Sequence, residues 1–386
     1  MSEAKAEPRR QDLKELATVF FKLGTIAFGG PVAHIAMMEE EIVNRRRWIT
    51  SEKLLDLLGV TSLIPGPNST ELAIHIGYER AGWKGLFVAG SCFILPAMTL
   101  VWILAVIYDR YQTLPQIEGL LYGIKPLISL IIVKALWKLG KKAVKDLITA
   151  IAAIAVIIAF FAGVNEILLL LLAGLAVMSV KNLASINSAT GITLITIAEA
   201  DIQIESQAKN LSHSWWNVFL FFLKLGSVLY GSGYVLLAFL QRDLVERSQW
   251  LTSQQLLDAV AIGQITPGPV FTTATFIGYL LAGNIGAIAA TIGIFLPAFI
   301  LVGVINPWVD KLRQSTWLSG FLDGVNAASL GLMTTVTYTL ARTAVVDWFT
   351  VILLVIGAIA LFRYQISSVW LVVFGAIAGL VWQGFM

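Results

Sequence analysis

LIPGPNSTELAIHIGYERAGWKG, residues 63–85, and ITPGPVFTTATFIGYLLAGNIG, residues 265–286, are two copies of one stretch. Proline lacks an amide hydrogen and fixes φ, and glycine permits turns. Pro65-Gly66-Pro67 and Pro267-Gly268-Pro269 must therefore break helices inside apolar sequence. Broken backbone at membrane depth survives only where protein buries it or where it lines a wet cavity. After each break a new helix begins. Asn68, Ser69 and Thr70 lie in its first turn in one copy, and Thr272 and Thr273 lie near the equivalent place in the other. A helix N-terminus presents free N–H groups and positive partial charge, so two such starts suit a small oxyanion.

The duplication extends outward. FKLGTIAFGG from Phe21 recurs as LKLGSVLYGS from Leu223, and RRRWITSEKLLDLL from Arg45 recurs as ERSQWLTSQQLLDAV from Glu246. About a third of positions are identical where residues 22–67 align with 224–269, and Gly77-Tyr78, Gly82, Gly85 and Pro96 then match Gly278-Tyr279, Gly283, Gly286 and Pro297. Each half reads alike: a first apolar helix (about 14–38 and 215–240), an amphipathic stretch, a helix pair broken at Pro-Gly-Pro (about 52–80 and 253–280), then four more apolar helices. The expected domains are an N-terminal repeat over 1–182, a linker over 183–213 and a C-terminal repeat over 214–386.

Composition sets the medium. Of 386 residues, 57% are hydrophobic and 13% charged, about half the charge of a soluble domain. Too few charges remain to cover a soluble protein of this size, so most of the surface belongs in lipid. The expected fold is an all-α polytopic membrane protein with two homologous halves as an inverted repeat. It has about 10 spans plus two re-entrant helix hairpins, in a cytoplasmic membrane and crossing it many times. The start, MSEAKAEPRRQDLKEL, lacks an apolar run behind basic residues, so no cleaved signal peptide is expected.

Net charge is +3. The excess cations sit in loops beside apolar segments, which points to cytoplasmic loops rather than nucleic-acid binding. If five elements per half cross, the second half is inverted. Lys138, Lys141, Lys142 and Lys145 then face inside, and their counterpart loop carries only Arg342. Lys5, Arg9, Arg10 and Lys14 fall outside, against the trend. A parallel repeat with an even span count is the alternative.

Three lysines sit inside apolar segments, where a charge costs at least ~2.5–3.5 kcal/mol. Lys22 and Lys224 are repeat-equivalent. A pseudo-two-fold axis brings such positions to the midplane, where transporters of this design bind substrate. The bland alternative is snorkelling, or pairing with a nearby carboxylate. Lys125 precedes Pro126, and its repeat-mate is Asn326; they line a pathway or form a structural pair. Gly29-Gly30-Pro31 with His34, matched by Gly231-Ser232-Gly233, interrupts the first helix of each half. Glu71 precedes His75 by four, on one helical face; this pair suits proton passage, or is structural. The Gly82/Gly85 and Gly283/Gly286 faces read as close helix packing.

No GxxxxGK[ST], HExxH, GxSxG or GxGxxG occurs, and three histidines with one cysteine make no metal site. Neither an enzyme nor a bound cofactor is expected.

Together these features resemble the chromate ion transporter family in its long, two-domain form. FGGPVAHIAMMEEE (28–41), RRRW (45–48), LIPGPNSTELAIHIGY (63–78) and FILP (93–96) carry the likeness, with second-half copies YGSGY (230–234), TPGP (266–269), IGY (277–279) and FLP (295–297). The resemblance implies a secondary transporter exporting chromate, with protons as coupling ion, and chromate resistance. Sulfate is close to chromate in size and charge and is an alternative substrate. An oxyanion channel, or a non-transporting membrane assembly, is the alternative class. Besides the oxyanion and protons, membrane lipid is the expected partner, with room for a homodimer. In the second half, Val270 replaces Asn68 and Gly233 replaces Pro31, so the halves need not contribute equally. On this reading export fails in Lys22→Ala and Lys224→Ala. Reporters fused at 145 and 345 should report opposite sides of the membrane; the same side from both would exclude the inverted repeat.

Overall fold

The computed structural model describes residues 10–28, 30–61, 64–112, 114–183, 214–229, 235–306 and 316–385. The first half comprises α1 (Arg10–Ile26), α2 (Gly30–Met38), which continues as a π turn over Glu39–Arg45, α3 (Ser51–Thr61), α4 (Asn68–Tyr111), α5 (Pro115–Ala143), α6 (Leu147–Phe161) and α7 (Glu166–Leu183). The second half repeats this order. It comprises α8 (Trp215–Val228), α9 (Val235–Phe239) with a π turn over Leu240–Arg247, α10 (Ser253–Ile265), α11 (Thr273–Ile305), α12 (Thr316–Ala344), α13 (Trp348–Ala358) with a π turn over Ile359–Arg363, and α14 (Ser368–Phe385). The linker expected over 183–213 lies, from residue 184 on, outside the described residues.

Three helical stretches are long and apolar enough to cross a membrane: Asn68–Tyr111, Ile117–Ala143 and Val270–Ile305. Shorter apolar helices accompany them, and α6 and α13 expose rows of Ile, Val, Leu and Phe. A surface this apolar marks an integral membrane protein.

The two longest stretches are each folded in two. Ala81 and Gly82 leave helical geometry, with Gly82 at φ +58, and Ala282 and Gly283 repeat the turn with Gly283 at φ +61. Only glycine adopts that φ without strain. The two arms then pack backbone to backbone. A Cβ on Gly85 would lie 2.1 Å from the Gly77 carbonyl oxygen, and one on Gly286 would lie 2.1 Å from that of Gly278. The small-residue face expected from sequence serves this contact.

Two further hairpins precede that turn. Lys22 of α1 meets Glu41 beyond α2, and Lys53 at the start of α3 lies 4.0 Å from Glu79 at the end of the first arm of α4. Both hairpins therefore return to the end they left. Arg80 gathers that end, pairing with Asp12 at 2.9 Å and Glu15 at 3.3 Å and lying over the Trp48 ring. Two expectations change here. Residues 14–38 fall in two helices, one ending at Ile26 and one starting at Gly30, whose φ of +76 departs from helical geometry. The start of α1, with Arg10 and Lys14, joins the end that carries Arg45, Arg46 and Arg47, because Arg80 ties it there; Lys5 and Arg9 lie outside the described residues.

The halves are intertwined. The second arms of α4 and α11 pack antiparallel: Trp83 lies against Gly303, and in the equivalent contact Trp102 Nε1 donates to Asn284 at 3.0 Å. α5 packs on α14 through Gly123, Gly375 and Gly379, and α12 packs on α7 through Gly324 and Gly174. Each half thus completes its core with helices of the other, and equivalent helices run in opposite directions. Equivalent caps start α6 and α13: Asp146 accepts from Thr149 N, and Asp347 from Thr350 N. Lys181 and Thr149 hold the Asp146 carboxyl down at about 2.

Gly85→Ala should prevent the hairpin from closing and abolish folded protein on detergent size-exclusion. Gly59→Ala, on an exposed helical site with nothing within 4 Å of the added Cβ, should leave thermal stability unchanged or slightly raised.

Candidate functional site

The Pro-Gly-Pro tips exchange partners across the halves. Gly66 N donates to the Leu229 carbonyl at 2.6 Å, and Gly268 N donates to the Ala27 carbonyl at 2.9 Å. Leu229 ends α8 and Ala27 follows α1, so each tip docks on the break in the other half's first helix. Gly66 and Gly268 have φ of +141 and +91, and a Cβ on Gly268 would come within 2.6 Å of Ala97 Cβ. The flanking prolines, Pro65, Pro67, Pro267 and Pro269, are buried. The Pro67 carbonyl accepts from Thr70 N and Glu71 N, starting the new helix, and the Pro269 carbonyl accepts from Thr272 N.

His34 on α2, behind the positive-φ Gly30, ties break to tip. Its Nε2 donates to the Ala27 carbonyl at 3.0 Å, and its Nδ1 accepts from the Ser69 hydroxyl at 3.2 Å. Gly29 and Gly231 lie outside the described residues.

The two tips differ in what they leave open. In the first, Asn68 Oδ1, Thr70 Oγ1, both Glu71 carboxylate oxygens and His75 Nε2 are buried without a hydrogen-bond partner among the described residues. In the second, Thr272 donates to the Pro269 carbonyl at 2.7 Å and Thr273 to the Val270 carbonyl at 2.8 Å. Buried polar groups normally find partners. Unmet ones cluster beside the helix start in the first half.

The paired lysines lie elsewhere. Lys22 is 3.8 Å from Glu41 and Lys224 is 3.7 Å from the equivalent Asp243, with about half of each side chain exposed, 52% and 51%. Burial opposes ionisation of Glu41, but Arg46, Lys22 and Arg45 outweigh it and hold the carboxyl below its ordinary range. Each lysine thus meets a carboxylate of its own half, which Glu41 shares with Arg45 and Arg46 and Asp243 with Arg247.

Lys125 is buried in an ion pair between halves. It lies 3.1 Å from Asp258 of α10, and Tyr108 OH donates to the same carboxylate at 2.8 Å. Asn326, at the equivalent place on α12, is half-buried. Asp258 was missed in the sequence reading, although Leu-Leu-Asp recurs at 54–56 and 256–258. A carboxylate duplicated within an apolar segment is as costly as a lysine there, and was the available signal. Asn306, which meets His75 Nδ1 at 2.8 Å, carried no such signal.

Fold and site define an integral membrane transport protein built from two intertwined repeats. The chain matches the chromate transporter family over residues 14–178 and again over 216–380, and it belongs to that family. It is 31% identical over 374 residues to the chromate transport protein of Cupriavidus metallidurans, covering 96% of this chain and 93% of that one. The probable chromate transport protein of Synechococcus elongatus is 30% identical over 380 residues, covering 96% and 95%. An uncharacterized transporter of Bacillus subtilis is 29% identical over 130 residues, which is 34% of this chain and 73% of its own length. No solved structure matches the chain.

Removing one member of a buried ion pair strands the other, at about 3–5 kcal/mol. Asp258→Ala should lower thermal stability in detergent accordingly, and Lys125→Met with Asp258→Leu should restore most of it. A double variant as unstable as the single one would deny that Lys125 is the stranded charge.

Proposed function

We propose that the protein is a secondary transporter that exports chromate, or the similar dianion sulfate, across the cytoplasmic membrane and so confers chromate resistance. Export is coupled to protons and is driven by the inside-negative membrane potential. The observation that carries this reading is the exchange of Pro-Gly-Pro tips between halves. It gathers four helix breaks in the protein interior, with the unmet polar groups of Asn68, Thr70 and Glu71 beside them. Helix starts and hydroxyls there suit a tetrahedral oxyanion. Chromate as substrate rests on the relatives that carry that name.

In the membrane, the hairpins α1–α2 and α3–α4 re-enter from one side, and α8–α9 and α10–α11 re-enter from the other. α3 has 11 residues and spans roughly 16 Å, short of a hydrocarbon core of ~30 Å. The second arm of α4, then α5, α6 and α7, cross, as do their counterparts; four crossings return the chain to the side it left, so the inverted arrangement has it change sides between α7 and α8. Antiparallel equivalent helices support an inverted repeat, with units at 1–182 and 214–386 and a linker at 183–213. The described cations gather at the Arg80 end, while Arg110, Arg242, Arg247 and Arg342 mark the other, so the Arg80 end faces the cytoplasm.

In this arrangement Lys22 and Lys224 fasten the π turns through Glu41 and Asp243, and the anion is held by the tips. Lys125 and Asn326 sit on the helices that bind the halves together.

Flux of labelled chromate and sulfate in proteoliposomes under imposed voltages and pH gradients tests the reading. Wild type should carry chromate. Thr70→Val should slow it about tenfold, the worth of one lost hydrogen bond. Lys22→Ala should retain most of it. Unchanged flux in Thr70→Val with loss in Lys22→Ala would move the site to the lysines.

A further inference from the structure

A polar ladder in the first half has no copy in the second. On the first arm of α4, Glu71, His75 and Glu79 recur every fourth residue and share one face. Glu71 and His75 are fully buried, and Glu79 reaches the surface where α3 begins. Asn306 Nδ2 donates to Glu79 Oε1 at 3.2 Å, so its Oδ1 accepts from His75 Nδ1 at 2.8 Å. With the hydrogen on Nδ1, His75 Nε2 is a bare acceptor inside the protein, without a partner. Glu71 stands at the inner end, and a Cβ on Gly66 would lie 2.4 Å from its Oε1, so the carboxyl lies against the tip. In the second half Phe276 and Leu280 occupy the places of His75 and Glu79.

Among the described residues, the surrounding elements bring Glu71 no counter-charge. On α1, Lys22 is taken by Glu41, and Asp12 and Glu15 by Arg80. On α2, His34 is engaged by Ala27 and Ser69. On α3, Lys53 faces Glu79, and Asp56 lies one turn further along. On α8, Lys224 is taken by Asp243, and on α10, Asp258 by Lys125. α11 carries no acid, lysine, arginine or histidine.

We propose that Glu71 is the proton-binding carboxyl of the anion site, so that a proton on Glu71 and a dianion at the Pro-Gly-Pro tips stabilise each other and move together. This rests on reading the tips as the anion site. An ionised Glu71 is a buried, uncompensated charge that repels the incoming dianion. Protonated, it loses that repulsion and gains an O–H that can donate to an oxyanion oxygen. The proton comes from solution, is held on a Glu71 oxygen, and returns to solution when the anion leaves. Linkage is reciprocal: whatever the proton adds to anion affinity, the anion adds to proton affinity. His75 and Glu79 give it a path in from the Arg80 end, and it leaves with the anion on the other side. One proton per dianion leaves a net negative charge, which an inside-negative voltage still drives outward.

Sulfate remains a dianion near neutral pH, which makes it the probe. Its binding to the purified full-length protein, measured across a pH series, should weaken up to about tenfold per pH unit as Glu71 ionises. At a pH where sulfate affinity is falling, sulfate added in weak buffer should draw up to one proton per site from solution. Glu71→Gln should bind sulfate with an affinity independent of pH and take up no proton, and Glu71→Asp should restore both effects. Size-exclusion in detergent shows that the variants are folded. Binding with wild-type pH dependence in Glu71→Gln, or proton release on binding, would overturn the proposal while leaving the anion site standing. Absence of sulfate and chromate binding by the wild type would remove the site itself, and the coupling with it.

Discussion

Every unusual feature of this molecule answers one constraint: a helix broken inside apolar surroundings must find partners for its backbone. Gly66 N and Gly268 N meet that need by reaching into the other half, to the Leu229 and Ala27 carbonyls. Those acceptors are themselves freed by breaks, at the ends of α8 and α1. Two breaks per half therefore satisfy one another across the pseudo-two-fold, and neither half completes its own backbone bonding. The intertwining of α5 with α14 and of α12 with α7 extends the same dependence to the outer helices.

The pseudo-symmetry is close in backbone and loose in chemistry. Equivalent turns at Gly82 and Gly283, equivalent caps at Asp146 and Asp347, and equivalent pairs at Lys22–Glu41 and Lys224–Asp243 all recur. Polar groups do not. Lys145 and Lys181 converge on Asp323 at one end, with Lys181 also reaching Asp146, while at the counterpart Tyr122 donates to Asp347 without a cation. His34 and Ser69 bridge tip and break in one half only. The two halves thus share a backbone plan but differ in the polar groups they carry.

Repetition made much of the fold legible. Glycines and prolines that recur in order mark backbone geometry, and the break at Gly30, the Pro-Gly-Pro tips and the turn after Tyr78 all lie at such positions. What repetition hides is which half a residue partners. Lys22 and Lys224 looked like a midplane pair because equivalence was read as proximity; the π turns bring Glu41 and Asp243 to them instead. Residues 14–38 are long enough for one crossing, but the helix ends at Ile26 and restarts at Gly30, and the contact between Lys22 and Glu41 shows the fold-back. Lys125 found its partner in Asp258, some 130 residues away in sequence, and no periodicity announces such a contact. Glu71 was legible as a residue, but its isolation from every counter-charge is a property of packing.

We propose the exchanged tips, rather than the paired lysines, as the seat of the oxyanion. A structure of the purified protein with molybdate, located by its anomalous scattering, tests it most directly. The account predicts the ion within hydrogen-bonding reach of Thr70 and the helix start at Asn68, beside Glu71. An ion seated between Lys22 and Glu41, or between Lys224 and Asp243, with the tips unoccupied, would contradict it.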